Sequence, residues 1–265
     1  MRDLFRSLGD ARVDFLVIGG QAAVLYGAAQ FTQDLDLWIR PTTANLRALA
    51  RALHAARARV HKLTPPLTIE HLRRGHGFHF VVPQAGALPA FLDVMGNPPR
   101  VGTYAAARAR AASFSTPWGR LPVVAIQDLV ELKKTNRLGD YDVISRLARL
   151  RLASIRSPRP RDVRWALANV FRAEDVHAIA QSNAQRLPRR AADFDPAVRP
   201  IVQACGAGRE PTARDMEGLA KALGSKMLRL LEAGRLYWVP VLRELRTLRS
   251  RGELLPEGMD VPEDL

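Results

Sequence analysis

The chain is predicted to fold as an α/β (α+β) domain over residues 1–155, followed by a helical domain over 156–265. Three observations carry this. Short apolar, β-branched runs alternate with helical patterns through the first half. No convincing strand occurs beyond about residue 124. Between the two kinds of pattern, Ser157-Pro-Arg-Pro160 punctuates a basic stretch as a linker would.

In chain order, residues 13–18 read as a buried strand closed by Gly19-Gly20, and 21–26 as a short helix stopped by Gly27. Residues 33–39 alternate polar and apolar, as a half-buried strand does. Pro41 marks a turn, and Thr42 or Thr43 caps a long helix running to about residue 59. Two further strands, 78–82 and 91–95, flank the turn-rich 83–86, and 112–116 with 121–124 flank Pro117-Trp-Gly119 as a hairpin. Helices follow at about 127–135 and 140–150. The second half is expected to hold helices at 161–185, 212–223 and 225–251, loops at 186–190 and 206–211, and a frayed acidic tail at 254–265. No internal repeat or long low-complexity tract is present.

A chain of 265 residues is long enough to bury a substantial core. It contains no run of 18 or more apolar residues, so no membrane association by a spanning helix is expected. The opening Met1-Arg-Asp-Leu-Phe-Arg-Ser7 lacks the apolar stretch of a secretory signal, which points to a cytoplasmic location. The lone Cys205 excludes an internal disulfide, a zinc knuckle and an iron–sulfur site. A net charge of +14 favours a polyanionic partner. Two facts temper that preference: 35 of the 40 basic residues are arginines, as GC-rich coding alone can produce, and the excess is spread over both halves.

Between Phe15 and Gln127 there are only four carboxylates, and three of them, Asp34, Asp36 and Asp93, sit inside apolar strand-like runs. Residues two apart in a strand point the same way, roughly 7 Å apart, so Asp34 and Asp36 share a face. Like charges so placed repel unless they are solvated or share a cation. Mg²⁺ suits them: it takes oxygen ligands, is held by one or two carboxylates, and completes its shell with water and phosphate oxygens. A third carboxylate on a neighbouring strand would allow a two-ion clamp for in-line attack at phosphorus. The competing reading makes the pair the wet face of an amphipathic strand. Gly19-Gly20, fourteen residues before Asp34, favours the first reading, because a strand–Gly-Gly–helix turn lets backbone N–H groups approach phosphates. It is neither a G-x-G-x-x-G nor a Walker A loop, and a tight turn would also explain it.

These residues resemble a known signature. Phe15-Leu-Val-Ile-Gly-Gly-Gln-Ala-Ala23 with Phe31-Thr-Gln-Asp-Leu-Asp-Leu37 is similar to the DNA-polymerase-β-type nucleotidyltransferase superfamily. The nearest likeness is to minimal bacterial nucleotidyltransferases, including abortive-infection type IV toxin-like proteins. Asp128-Leu-Val-Glu-Leu-Lys-Lys-Thr-Asn-Arg-Leu-Gly-Asp-Tyr-Asp-Val-Ile144 resembles that group's later helix pair, so the likeness covers residues 12–150. It implies a mixed nucleotidyltransferase-type sheet flanked by helices, with Gly19 and Gly20 at the phosphate turn. Asp34, Asp36 and Asp93 would be the ligands of two Mg²⁺ ions. Lys133 would contact nucleotide phosphates, and Thr32, Lys134 and Arg137 would help to bind the NTP. The implied reaction moves NMP from NTP to a hydroxyl acceptor and releases pyrophosphate; a toxin-like enzyme acting on tRNA, checked by a cognate antitoxin, is one form of it. The chain departs from the pattern at Gln30, where relatives carry Arg, leaving Arg40 as a candidate substitute, and at Gly-Gly, where many carry Gly-Ser.

Other candidates read as structural. His76 and His79 lack the Cys or acidic partners of a zinc set, and Cys205 has no evident base. Asp140 and Asp142 suit the first turn of a helix. Arg137 suits phosphate contact or helix-end pairing equally. Trp165, Tyr237 and Trp238 fit a helical core, and Arg243, Arg246 and Arg249 a solvated helix face or an RNA-binding one. Three functions stay open: an active nucleotidyltransferase acting on RNA, protein or a small molecule such as an antibiotic; a catalytically degenerate fold that binds nucleotide or nucleic acid as a regulatory module; and a basic scaffold protein.

Overall fold

A seven-stranded mixed sheet is the centre of the computed structural model, which describes residues 1–84, 86, 88–187 and 194–263. The strands are β1 (Phe15–Ile18), β2 (Asp34–Ile39), β3 (Arg59–Val60), β4 (Gly77–Val82), β5 (Ala90–Met95), β6 (Ala112–Thr116) and β7 (Gly119–Val123). Their order is β3-β4-β5-β2-β1-β7-β6, with β1–β7 and β2–β5 parallel and the other pairs antiparallel. The mixed α/β class and the 112–124 hairpin therefore stand as expected. β1 is buried along its whole length, whereas β4 buries Phe78, Phe80 and Val82 and turns Gly77, His79 and Val81 to the more open face. That alternation is the signature of a sheet with one solvated side.

The chain forms two compact units, residues 1–132 with 237–265, and residues 133–236. The expected boundary at 155 falls inside neither junction. The reason is that α7 (Asp140–Ser154) contributes Ala148 and Leu152 to the core of the helical unit.

In the first unit, α1 (Arg2–Asp10) was not expected, yet it buries Leu4, Phe5 and Leu8 on one side. α2 (Gly19–Leu25) starts at the glycines themselves rather than after them. α3 (Thr43–Ala55) is capped by Thr42, whose side chain accepts the Asn45 N–H, and it ends short of Arg57, which takes a positive φ of 53°. α4 (Ile69–Arg73) and α5 (Tyr104–Arg110) are single turns or little more, capped by Thr68 and Thr103, and too short to show a period. α6 (Ile126–Leu132) closes this part. The expected frayed tail is a correction: Leu255 bridges Thr64, Asp260 bridges Arg59, and Val261 is buried. Backbone pairing to β3 orders it, while residues 264–265 lie outside the described residues.

In the second unit the single helix expected over 161–185 is two, α8 (Pro160–Ala168) and α9 (Ala173–Ser182). Asn169 ends the first by donating its side-chain amide to the Trp165 carbonyl, and the Phe171 N–H turns to the Ser145 hydroxyl. α10 (Arg199–Gly206) was not expected; it carries the buried Cys205, whose thiol burial pushes above its ordinary pKa. The two helices expected from 212 to 251 are one, α11 (Ala213–Ser250), in which Leu236 is the last residue of the second unit and Tyr237 belongs to the first. Residues 188–190 of the expected loop, and Ala85 of the 83–86 turn, lie outside the described residues. Among the described residues no helix is long and apolar enough to cross a membrane.

Candidate active site

The three aspartates picked from the sequence meet on one face of the sheet. β2 pairs with β5 in parallel, with Asp36 opposite Asp93 and Asp34 opposite Phe91. Opposed residues on adjacent strands about 4.8 Å apart point the same way, so Asp34, Asp36 and Asp93 share a face while Leu35, Leu37, Leu92 and Val94 fill the other. The three aspartates are each partly exposed.

The diglycine turn lies against this face. β1 ends at Ile18, which pairs with Asp36, and the chain then turns into α2 through Gly19 at φ +61°. A side chain at Gly19 would overlap the Asp36 carboxylate. The Gly20 N–H donates to Asp36 Oδ2 at 3.1 Å, and a Cβ on Gly20 would come within 2.6 Å of Thr32 Oγ1. Thr32 in turn donates its hydroxyl to the Asp34 carbonyl at 3.3 Å. Glycine is required at position 19 because the left-handed backbone and the close carboxylate both exclude a Cβ. Gly19, Gly20, Thr32, Asp34, Asp36 and Asp93 are thus brought together.

His79 is the residue that reading the sequence missed. It pairs with Asp93 across β4 and β5, and its Nδ1 lies 2.7 Å from Asp93 Oδ1. The period-two exposure of Gly77, His79 and Val81 was visible in the sequence; that β4 neighbours β5 in this register was not. His76 is structural: it is fully buried, with Nε2 hydrogen-bonded to Glu244 Oε2 at 2.9 Å.

Lys133, Lys134 and Arg137 belong to the second unit. There Lys133 Nζ donates to Asp140 Oδ1 at 2.9 Å, and Asp140 also accepts the Thr135 hydroxyl at 2.6 Å. Both ends of that pair are nearly buried, and Arg137 is exposed. Arg40 cannot stand in for the missing Arg at position 30. It follows the far end of β2, about 20 Å from Asp34 at ~3.3 Å per residue, and pairs with Asp14. Trp165 packs against the helical core with Arg151 over its ring at 4.7 Å.

The donor set fits a hard divalent cation. Among the described residues no three or more His, Cys, Asp or Glu side chains are grouped so as to hold a metal ion by themselves. What the face offers is partly exposed carboxylates on neighbouring strands, with that of Asp36 seated in the space a Cβ at Gly19 would take. Mg²⁺ needs only one or two carboxylates when phosphate oxygens and water complete its shell. By the resemblance, Asp34 and Asp36 would hold one such ion and Asp93 would share a second. The chain matches no family model, and no curated protein is significantly similar to it.

Proposed function

We infer that the protein is a Mg²⁺-dependent nucleotidyltransferase that moves NMP from NTP to a hydroxyl acceptor and releases pyrophosphate. The observation that supports this best is the register of β2 on β5, which sets Asp36 beside Asp93 on the face that carries Asp34 and the Gly19 turn. Bound magnesium would supply charge neutralisation on the triphosphate and acidify the acceptor hydroxyl. Asp34 and Asp36 bind and orient the triphosphate through that charge. Asp93 lies beside Asp36, where it holds the acceptor hydroxyl in line and takes its proton. The acceptor oxygen bonds to the α-phosphorus as the bond to the bridging oxygen breaks, and the electron pair leaves with pyrophosphate. The basic chain favours an RNA end as acceptor, and a toxin-like enzyme acting on tRNA, with an antitoxin partner, is one enzyme of this kind.

The test is transfer of label from each α-labelled NTP to total RNA, with protein and small-molecule acceptors, an aminoglycoside among them, in parallel. Transfer is expected to need Mg²⁺ and to fall at least about a hundredfold in Asp36→Ala. Binding of Mg²⁺·NTP without transfer to any acceptor would instead indicate a nucleotide-binding regulatory module. A folded protein that binds no Mg²⁺·NTP would end the nucleotide reading altogether.

A further inference from the structure

We propose that the cavity next to Asp34 is a nucleobase-binding site. The cavity holds about 600 Å³, within the range of small-molecule sites, and lies in the first unit at the end of the sheet where β2 and β5 begin. Phe31, Phe91 and Trp118 contribute aromatic surface to its lining, Gln21, Gln30 and Gln33 contribute amides, and Asp34 lies at its edge with the carboxylate face.

The chemistry of the lining selects the occupant. Among the described residues no Lys or Arg side chain lines the cavity; Met1 at its wall brings only an α-amino group, whose charged form burial disfavours, so phosphate meets no strong cation there. An aliphatic occupant would offer the glutamine side chains nothing to pair with, although each amide carries two donors and an acceptor oxygen. A flat heterocycle satisfies both kinds of wall: its faces stack on aromatic rings and its edge pairs with amides. Phe31 makes the case sharper. It is 76% exposed and shares the cavity lining with Leu88, 86% exposed, and apolar surface grouped at a cavity marks a binding site where a lone exposed residue would not. A base carried here would leave its sugar and phosphates pointing toward Asp34. Which molecule brings the base, the NTP or the acceptor RNA, rests on the nucleotidyl-transfer reading; the base site itself does not.

Ligand-observed NMR with adenosine, guanosine, cytidine and uridine, free of phosphate and Mg²⁺, tests the cavity alone. Wild-type protein is expected to bind at least one nucleoside. Phe31→Ala, a surface change whose fold circular dichroism can check, should weaken that binding about tenfold, within the usual range for loss of one base–aromatic stack. Gln33→Ala should alter which nucleoside is preferred. Failure of every nucleoside to bind, or equal binding by wild type and Phe31→Ala, overturns the site. So does an apolar dye that binds the cavity and is not displaced by nucleosides. Parallel titrations with Mg²⁺·NTP and a single-stranded RNA oligonucleotide assign the source: Phe31→Ala weakens the first if the donor base sits here and the second if the acceptor base does. Nucleoside binding with neither Mg²⁺·NTP binding nor transfer would sustain the cavity and reject the enzyme.

Discussion

Gly19 is the residue on which the geometry of Asp36 turns. Its left-handed backbone lets β1 pass directly into α2, and the missing Cβ gives the Asp36 carboxylate the space from which it accepts the Gly20 amide. Gly19→Ala is therefore expected to act twice. Holding a non-glycine residue at this φ costs of order 1–3 kcal/mol, and displacing the carboxylate should abolish Mg²⁺·NTP binding. Gly9→Ala in α1 is the matching control: nothing lies near its absent Cβ, and alanine within a helix gains about 0.5–1 kcal/mol. Urea denaturation with nucleotide titration reads both effects. If Gly19→Ala lost no more stability than the control and bound nucleotide normally, the turn would be mere chain geometry. This much was legible in advance: an apolar strand running into two glycines, then a D-x-D alternation, implies close approach and a shared face from spacing alone. The contact of His79 with Asp93 was not, because it depends on which strands become neighbours.

At the scale of elements, α11 shows where sequence periodicity stops informing. The helical pattern from 212 to 251 was clear, but Gly224 read as a break between two helices, whereas one helix runs through it and on through Pro240. The opposite happened at Asn169, where a continuous helical pattern broke because side-chain and backbone groups found other partners. α4 and α5 are shorter than any period can register, and the tail became ordered only by pairing with β3. The last turns of α11 are fastened in the first unit by Glu244, which accepts from Arg74 at 2.6 Å and meets the buried His76 at 2.9 Å. The hydrogen bond from His76, with that from Arg74, holds the Glu244 carboxyl below its ordinary value of 4.5. A lowered folded pKa means stabilisation that is fully present above the ordinary value and lost as pH falls through the lowered one. The stability difference between wild type and Glu244→Gln should therefore shrink as pH falls below about 4.5. A difference independent of pH down to full protonation would show that the carboxylate's charge contributes nothing to this attachment.

Charge changes meaning when it is apportioned to the folded units of the whole molecule. Divided at mid-chain, the excess looked evenly spread. Divided by compact unit, residues 133–236 carry 21 basic against 11 acidic residues, or +10 of the total +14, while the unit bearing the aspartates carries 19 against 15. Several acids of the second unit are already paired, Asp140 with Lys133, Asp162 with Arg151, Asp175 with Arg149 and Asp195 with Lys226. Arg156, Arg159 and Arg161, around the start of α8, are exposed. Counterion release ties such charge to a measurable slope: for single strands log K falls with log salt by about 0.7 for each phosphate neutralised. If the second unit grips an RNA acceptor by its phosphates, Arg156→Gln combined with Arg161→Gln should flatten that slope by as much as about 1.4. If the acceptor base is the one that occupies the cavity beside Asp34, Phe31→Ala should instead lower affinity at every salt concentration with the slope unchanged, because an uncharged stacking contact releases no ions. Phosphate grip and base contact are thus separable by salt titration of one oligonucleotide against three proteins. A wild-type slope near zero would remove RNA from the list of acceptors, and leave the positive unit as a product of composition rather than of binding.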